Sequence, residues 1–349
     1  MTQVHSISFA HVERLLGEYG IYQHAKLLEP RLSEGYCVDD NARAVTTLLR
    51  AMPFLAGEDA DIAERTLFLS WKFLVDAKRP DGSMHNFRTV KGVWLTHDVS
   101  GDMYARVLRA CVAVIVHGSD TARTQEARVL MGDILRQADH LFIVPRACAE
   151  VLVAFQELSL HRPLSSEMNR IVRQCAAQLI HAWQRASSQS WPWFEDTMTY
   201  ANALLPHGLL ASLVLNPSEE AERVVRQSSF FLLSTTIKNN MFVPIGNSSW
   251  YHRDGKPSQY DQQPIEAAAT TDFLIDLRAW DPSLISSSDV LLLHEWFFGN
   301  NTARLAMASE STGACYDGLL DGEVNQNCGA ESLLAYLWVE VRIREARLV

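Results

Sequence analysis

The segment AAATTDFL at residues 267–274 shows the kind of helix that decides the fold. Small and apolar side chains cover most of its circumference, and a helix that is apolar nearly all round is buried. The segment DADIAERTLFL at residues 59–69 has the other pattern, in which a charged face lies opposite an apolar face. Such a helix has one solvated side. Because the two kinds alternate along the chain, the sequence predicts an inner and an outer layer of helices.

Apolar residues recur at three- and four-residue spacing almost throughout, which predicts an all-α protein. Six outer-inner pairs of helices predict a six-hairpin (α/α)6 barrel, a closed toroid, although a helical solenoid would give a similar pattern. No Gly/Ser-rich linker marks a boundary, so we expect one domain over residues 1–349. The predicted helices cover residues 6–18, 40–53, 60–78, 101–117, 121–139, 145–159, 166–186, 200–215, 218–238, 264–279, 287–298 and 329–346.

The connections that lead into the predicted inner helices are mostly long. They cover residues 79–100, 187–199, 239–263 and 299–328, whereas the connection before Pro145 is short. Long loops in a compact domain are usually functional. In a barrel these four loops would gather at one end, where the inner helices begin.

Composition and charge limit the classes of function. Hydrophobic residues make up 48% and charged residues 21% of the chain, as in an ordinary folded protein. The formal net charge of -10 argues against a nucleic-acid partner and against an anionic membrane surface. No apolar run is long enough to span a bilayer, and the N-terminus lacks the pattern of a signal peptide. We therefore expect a cytoplasmic protein with reduced cysteines, and the oligomeric state stays open.

The segment WPWFEDTMTYANALLP at residues 191–206 places aromatic side chains beside two adjacent carboxylates, Glu195 and Asp196. Sugar rings stack on aromatic faces, and a glycosidic bond is cleaved between two carboxyl groups. The alternative is a loop whose tryptophans fill the core and whose carboxylates cap a helix. The segment alone leaves both interpretations open.

Polar residues at the starts of the predicted inner helices favour the carbohydrate interpretation. Capping explains some of these side chains, but it does not explain Gln262 and Gln263 beside Asp261, or Asn41 and Arg43 inside a buried helix. Buried polar groups need partners, which either a shared polar network or a polyhydroxylated ligand would supply. We favour the ligand. The other polar residues at these starts are Asp39, Asp40, Asp98, Asp102, Asn327 and Glu331.

The sequence predicts no metal site and no cofactor. His294-Glu295 is not followed by the second histidine of a zinc helix, and the chain has neither a Gly-rich phosphate loop nor a Gly-x-Ser-x-Gly elbow. For His207, inside the fourth inner helix, core packing is the favoured role. Dipole stabilisation alone would explain Glu266 and Glu331.

The runs GIYQHA at residues 20–25 and GYCVDDNARA at residues 35–44 resemble a bacterial helical-barrel module that is often classed with, or fused to, group 1 glycosyltransferases. Residues 191–206, 244–247, 261–267, 299–301 and 315–332 look like its other motifs, so the resemblance covers essentially the whole chain. It implies a six-hairpin α/α toroid that handles carbohydrate, with mannose-type glycans as the expected class. It does not imply transferase activity, because the nucleotide-sugar domain is absent. Residues 96–102 depart from the module's pattern, so the resemblance assigns no role to Asp98 or Asp102.

The main hypothesis is a glycoside hydrolase that acts on an oligosaccharide with inversion. Inversion needs a carboxylic acid and a carboxylate ~6.5–9.5 Å apart. We expect Glu195 to be the acid, because aromatic neighbours would raise its pKa, and Asp40 or Asp261 to be the base. Asp196 would cap the helix or orient Glu195. The residues expected to contact substrate are Trp191, Trp193, Tyr200, Trp250 and Tyr251 as stacking walls, and Asn41, Arg43, Asn202, Gln262, Gln263, Asn327 and Glu331 as ligands of hydroxyl groups.

Two other functions remain possible from the sequence. A sugar epimerase or isomerase could use the same toroid, and would normally recruit a histidine as acid and base, for which His85, His97 and His252 are the loop candidates. A non-catalytic glycan-binding module is the second alternative.

Overall fold

The computed structural model describes residues 7–95 and 100–348. Helices make up 56% of it, so the predicted all-α class is confirmed. The α-helices in the described residues are α1 Ala10–Leu15, α2 Val38–Ala51, α3 Gly57–Asp76, α4 Gly101–His117, α5 Thr121–Leu135, α6 Ala138–Leu141, α7 Pro145–Ser159, α8 Ser166–Ala186, α9 Leu204–Leu215, α10 Glu219–Thr236, α11 Pro264–Trp280, α12 Ser287–Phe297 and α13 Ala330–Glu345. A 3-10 helix covers Met52–Phe54.

Six helices form the inner layer of the barrel. They are α2, α4, α7, α9, α11 and α13, and each packs against the next, with α13 against α2 to close the ring. Helix α13 is buried at every position from Ser332 to Ile343, as expected for a helix enclosed on all sides. Helix α8 in the outer layer buries only one face, with Ile171, Cys175 and Leu179 inside. The predicted toroid is thereby confirmed.

The long loops are joined to one another by two-residue strands. Strand β3 before α2 pairs with β4 in the loop that leads to α4, and β5 before α9 pairs with β8 in the loop that leads to α11. Gln262, at the end of that loop, pairs with Leu319 in the loop before α13. The loops therefore form a connected rim where the inner helices begin, as predicted. The strands are β1 Ala25–Lys26, β2 Glu29–Pro30, β3 Tyr36–Cys37, β4 Phe87–Arg88, β5 Thr197–Met198, β6 Ile237–Lys238, β7 Met241–Phe242, β8 Tyr251–His252, β9 Gly318–Leu319 and β10 Val324–Asn325.

Three predicted helices differ from the structure. Helix α1 is six residues long, and residue 6, where it was expected to begin, lies outside the described residues. The predicted helix 121–139 is divided into α5 and α6, and Gln137 at the break donates to the Gly82 carbonyl in the loop before α4. Helix α9 begins at Leu204 instead of residue 200 because Ala201 has a φ of 46°, and the Glu266 carboxylate accepts the N–H groups of Ala201 and Asn202.

No helix in the described part of the chain combines the length and the apolarity that crossing a bilayer requires. All six cysteines are free and buried, as expected for thiols that act as small apolar side chains. The single domain and the cytoplasmic location stay predictions.

Gly208 shows how closely the inner helices pack. A Cβ atom added to this residue of α9 would lie 2.4 Å from the Cα atom of Ala149 on α7, so no side chain fits there. Gly132 on the outer helix α5 is different, because its nearest neighbour would be the end of the Arg136 side chain at 3.7 Å.

These two glycines give a matched test of the inner ring. We expect Gly132→Ala to stabilise the protein by roughly 0.5–1 kcal/mol, since alanine favours a helix over glycine. The same change at Gly208 should destabilise it by about 1–3 kcal/mol, because overpacking separates two backbones. Urea unfolding followed by circular dichroism measures both. Stabilisation by Gly208→Ala would contradict the close contact of α7 and α9.

Candidate active site

A cavity lies on the barrel axis and contains about 770 Å³ of empty space, including its opening to solvent. All six inner helices contribute to its wall. The lining residues are Ala42, Arg43, Thr46, Thr47, Arg106, Arg109, Glu150, Ala201, Leu204, His207, Ile265, Ala268, Ala269, Asp272, Glu331, Leu334, Ala335 and Trp338.

Ion pairs surround the upper end of the cavity, which we call the mouth. Arg43 Nη1 contacts Asp40 Oδ1 at 3.3 Å and Glu331 Oε2 at 2.5 Å. Arg106 Nη1 contacts Asp39 Oδ1 at 2.7 Å. These contacts join α2 to α13 and to α4. The polar residues expected at the starts of different inner helices therefore do meet, through arginine.

The two carboxyl groups beside Arg43 titrate in opposite directions. Burial raises the pKa of Asp40 to about 6, although the Arg43 guanidinium acts against this shift. Burial also opposes ionisation of Glu331, but Arg43 outweighs it and holds the pKa of Glu331 below its usual value. A pair whose environments move the two pKa values apart can supply one proton donor and one ionised carboxylate.

The geometry also limits how far apart these groups are. Asp40 Oδ1 and Glu331 Oε2 contact the same nitrogen atom at 3.3 and 2.5 Å, so their separation cannot exceed the sum of those distances. That limit lies below the ~6.5–9.5 Å of inverting glycosidases and close to the ~5–5.5 Å of retaining enzymes. These two oxygen atoms are therefore closer together than inversion requires, and the limit is compatible with retention.

Glu195 has different surroundings from those expected. Arg146 Nη1 contacts both of its carboxylate oxygens at 2.9 Å. The other nitrogens of Arg146 donate to the Thr199 hydroxyl and the Tyr200 carbonyl. Glu195 thus holds the loop before α9 against α7, and it is not among the residues that line the cavity. The start of α7 has few polar residues in the sequence, so Arg146 was not proposed as a site residue. The available signal was an arginine directly after the proline that begins the helix.

The aromatic residues that were expected to stack on a sugar differ in how exposed they are. Trp191 and Trp193 are 2% and 0% exposed and pack with Phe231, so neither ring has a free face for a sugar. Trp250 is half-buried, as is Tyr251, whose ring lies 4.9 Å from that of Trp191. Tyr200 is 37% exposed. Its hydroxyl donates to Asp102 at 2.9 Å and its ring lies 4.5 Å from the Arg146 guanidinium, next to Ala201 in the cavity wall.

Several amides expected to bind hydroxyl groups have protein partners. Asn41 is fully buried and bonds to both backbone groups of Ile21, and Gln262 accepts from the Trp296 indole. Asn202 donates to Glu266 at 3.1 Å, and Asn327 accepts from the Leu27 N–H. Asn41 and Gln262 therefore support the rim, not a ligand. The Gln263 side chain is half-buried and has no hydrogen bond within the described residues.

The remaining carboxylates lie in the rim. Burial, and then the Asp317 carboxylate, raises the pKa of Asp261 to about 6. Asp261 lies against Gly318, where an added Cβ would be 2.0 Å from Asp261 Oδ1, and, like Asp40, it is not itself among the lining residues of the cavity. Asp196 is exposed and pairs with Arg253 at 2.7 Å. Nothing in these contacts brings Asp261 or Asp196 to Asp40.

Two of the three histidines proposed for an epimerase, His85 and His252, are not in the cavity wall. The His85 ring stacks on Trp94 at 5.1 Å, and the exposed His252 contacts the Thr197 hydroxyl. His97, like Asp98, lies outside the described residues. His207 does line the cavity, and its Nε2 atom lies 3.0 Å from Asp276 Oδ2. The sequence favoured a role for His207 in core packing, and this role accounts for only part of its surroundings.

The lower end of the cavity, which we call the floor, consists of Arg109, Glu150, His207 and Asp272. Arg109 contacts Glu150 at 3.0 Å and Asp272 at 2.6 Å. None of the four was proposed as a site residue from the sequence. The signal was the helical spacing of charged residues on apolar helices, such as Asp102, Arg106 and Arg109 on α4.

No protein family model matches the chain. No curated protein matches it either. The fusion to a glycosyltransferase suggested by the sequence resemblance is therefore not shown.

Solved structures of sugar-processing enzymes share the fold. A sugar epimerase from a ruminal bacterium has a TM-score of 0.70 and 12% identity, over 97% of this chain and 96% of that one. Cellobiose 2-epimerase from Spirochaeta thermophila DSM 6192 has a TM-score of 0.70 and 12% identity, over 98% and 94%. The cellulase Cel9M of C. cellulolyticium, in complex with cellobiose, has a TM-score of 0.62 and 8% identity, over 93% and 87%. At these identities the likeness shows the fold alone.

The contact of Arg146 with Glu195 can be tested by a double-mutant cycle. We expect Arg146→Met and Glu195→Gln each to destabilise the protein by about 2–3 kcal/mol, because each leaves a partly buried charge without its partner. The double variant should lose less than the sum of the two. Urea unfolding measures all three proteins.

Arg170→Met is the control, because Arg170 pairs with Glu167 and Asp139 at the exposed surface. This change should leave the unfolding midpoint nearly unchanged. Additive effects of Arg146→Met and Glu195→Gln would show that the pair does not stabilise the loop before α9.

Proposed function

We propose that this protein is a carbohydrate-processing enzyme that hydrolyses a glycosidic bond at the mouth of the axial cavity. The observation that carries the proposal is the pair Asp40 and Glu331 on the two sides of Arg43. The pair supplies a carboxyl group with a raised pKa and a carboxylate with a lowered pKa within one small space. A glycosidase needs these two groups.

In this proposal Asp40 donates its proton to the oxygen of the leaving sugar as that bond to the anomeric carbon breaks. Glu331 attacks the anomeric carbon and forms a glycosyl ester. Asp40, now ionised, removes a proton from water, and the water oxygen displaces Glu331. The product keeps its anomeric configuration, so the proposal replaces the inversion expected from the sequence.

Charge and shape at the mouth favour a neutral oligosaccharide. The arginines of the mouth are already paired, Arg43 with Asp40 and Glu331 and Arg106 with Asp39, so neither is free to balance an anionic sugar. The exposed part of the Tyr200 ring is a surface on which the C–H face of a sugar can pack.

Epimerisation or isomerisation of a sugar is the second candidate. It is favoured by the solved structures with the same fold, which include epimerases. Such an enzyme moves a proton at the carbon beside a carbonyl group, and the Asp40–Glu331 pair could carry that proton. The third possibility, a non-catalytic glycan-binding module, predicts binding without turnover.

A single assay in D2O separates the three functions. Mannose- and glucose-containing oligosaccharides are incubated with the protein and followed by proton NMR. Hydrolysis with retention produces new reducing-end signals, and the anomer that appears first has the configuration of the substrate. Epimerisation instead replaces the proton at C2 by deuterium and releases no second sugar. Inversion would contradict the assignment of Asp40 and Glu331, and binding without any reaction would favour the binding module.

The pH dependence follows from the two pKa shifts. Asp40 must be protonated to act as the acid, so we expect kcat/KM to fall as the pH rises through about 6. Glu331 must be ionised, and because its pKa is lowered the acidic limb should lie below the range of an ordinary glutamate. Asp40→Asn should lower the rate by about 10²–10⁴-fold and remove the basic limb. Glu331→Gln should abolish turnover.

Glu195→Gln and Asp139→Asn are the comparisons for these variants. Glu195 contacts Arg146 and should affect the rate mainly through the position of Tyr200, whereas Asp139 is at the outer surface and should have no effect. If Glu195→Gln removes the basic limb and Asp40→Asn does not, the original assignment of Glu195 as the acid is correct.

A further inference from the structure

The axial cavity continues well below the carboxylates of the mouth. On α13 its wall extends from Glu331 to Trp338, which is about 10 Å along a helix. On α4 it extends from Arg106 to Arg109, and on α9 from Leu204 to His207. The space therefore forms a well in which a whole sugar ring can lie beneath Arg43.

Ion pairs close this well and keep the floor in place. Arg109 contacts Glu150 on α7 and Asp272 on α11, and Arg342 on α13 contacts the other oxygen of Asp272 at 2.7 Å. The Trp338 ring lies 4.9 Å from the Arg109 guanidinium. Because the floor connects four inner helices, its polar groups hold fixed positions.

The floor still has hydrogen-bonding capacity. Within the described residues Glu150 has a hydrogen bond only at Oε1, whereas Arg109 Nε has no partner but is almost completely buried, so a ligand in the well does not reach it. His207 Nδ1 lies 4.0 Å from Asp272, beyond hydrogen-bond distance. A carboxylate oxygen of Glu150 and a ring nitrogen of His207 therefore remain for the hydroxyl groups of a ligand.

The walls above the floor suit the other surfaces of a sugar. Ala268 and Ala335 line the cavity and keep it wide, and Ile265 and Leu334 add apolar surface. Apolar walls with a few polar groups at the base are typical of a site that holds a ligand in one orientation.

We propose that the floor recognises the hydroxyl groups of a single neutral sugar ring, the terminal residue of the substrate, and so determines which sugar is accepted. The inference rests on the proposed function and adds to it that the enzyme acts on chain ends. The ring must be uncharged because Arg109, like Arg43 and Arg106, is already ion-paired. A well that is closed below also cannot accommodate the middle of a chain.

Binding of free sugars tests the inference without turnover. Mannose, glucose, galactose, glucuronate and mannose 6-phosphate are titrated into the full chain by calorimetry and by saturation-transfer NMR. We expect at least one neutral sugar to bind at least ten-fold more tightly than both anionic sugars. Ala335→Leu fills the well without changing a charge and should abolish that binding. Glu150→Gln should weaken it about ten-fold, since a charged acceptor is lost.

Two controls separate folding and catalysis from recognition. Ala177→Leu makes the same change on the exposed face of α8 and should bind like the wild type. Glu331→Gln should retain sugar binding while it loses turnover, so this variant allows binding to be measured independently of turnover. Melting curves show whether each variant folds, and Thr47→Val, which changes another lining residue, replaces Glu150→Gln if that variant does not.

The possible results differ for the two proposals. If oligosaccharides are hydrolysed but Ala335→Leu and the floor variant bind sugars like the wild type, the role of the floor is wrong and the proposed function stands. Tighter binding of glucuronate or mannose 6-phosphate than of every neutral sugar also overturns the inference. If the wild type neither binds nor converts any sugar, both proposals fail.

Discussion

Arg43 lies between Asp40 and Glu331, and the mouth of the cavity depends on that contact. A guanidinium taken out of water inside a ring of helices must be paired, because an unpaired buried charge is costly. The pairing joins the second helix of the chain to the last one, where the ring closes. Arg43 lowers the pKa of both carboxyl groups, and burial raises that of Asp40 to about 6 in spite of it. Closure of the ring and the charge state of the proposed catalytic pair therefore depend on the same arginine.

Similar ion pairs between arginine and carboxylate side chains lie further along the barrel axis. Arg106 pairs with Asp39, Arg109 with Glu150 and Asp272, and Arg50 with Glu157 and Glu345 near the other ends of the helices. Each arginine contacts a carboxylate, and most of these contacts join different helices. These ion pairs fix the side chains, so the polar groups of the floor that have no protein partner are held in position for a ligand. A barrel filled with apolar side chains would have no such cavity.

The rim depends on a buried carboxylate of another kind. Glu266 accepts both N–H groups at Ala201 and Asn202 and the Asn202 amide, and burial raises its pKa to about 7. These hydrogen bonds hold the backbone in the turn that precedes α9 and position Tyr200 beside Asp102. With Arg146 on the other side, Tyr200 has one exposed surface at the mouth. The shape of the mouth is thus set by charged groups, Glu266 and Arg146, that are not themselves in the cavity wall.

The sequence by itself determined the secondary structure and the barrel, because the period of apolar residues and the alternation of buried and amphipathic helices are local properties of the chain. It also predicted a site at the starts of the inner helices, with Asp40, Arg43 and Glu331 among the candidates. Only the tertiary structure decided which of these meet, since contact depends on how each helix is rotated about its axis. It placed Arg146 on Glu195, turned Trp191 and Trp193 into the core, and brought Arg109, Glu150 and His207 from three helices to one floor. These residues are far apart along the chain, so no pattern in the sequence shows that they come together when the ring of helices closes.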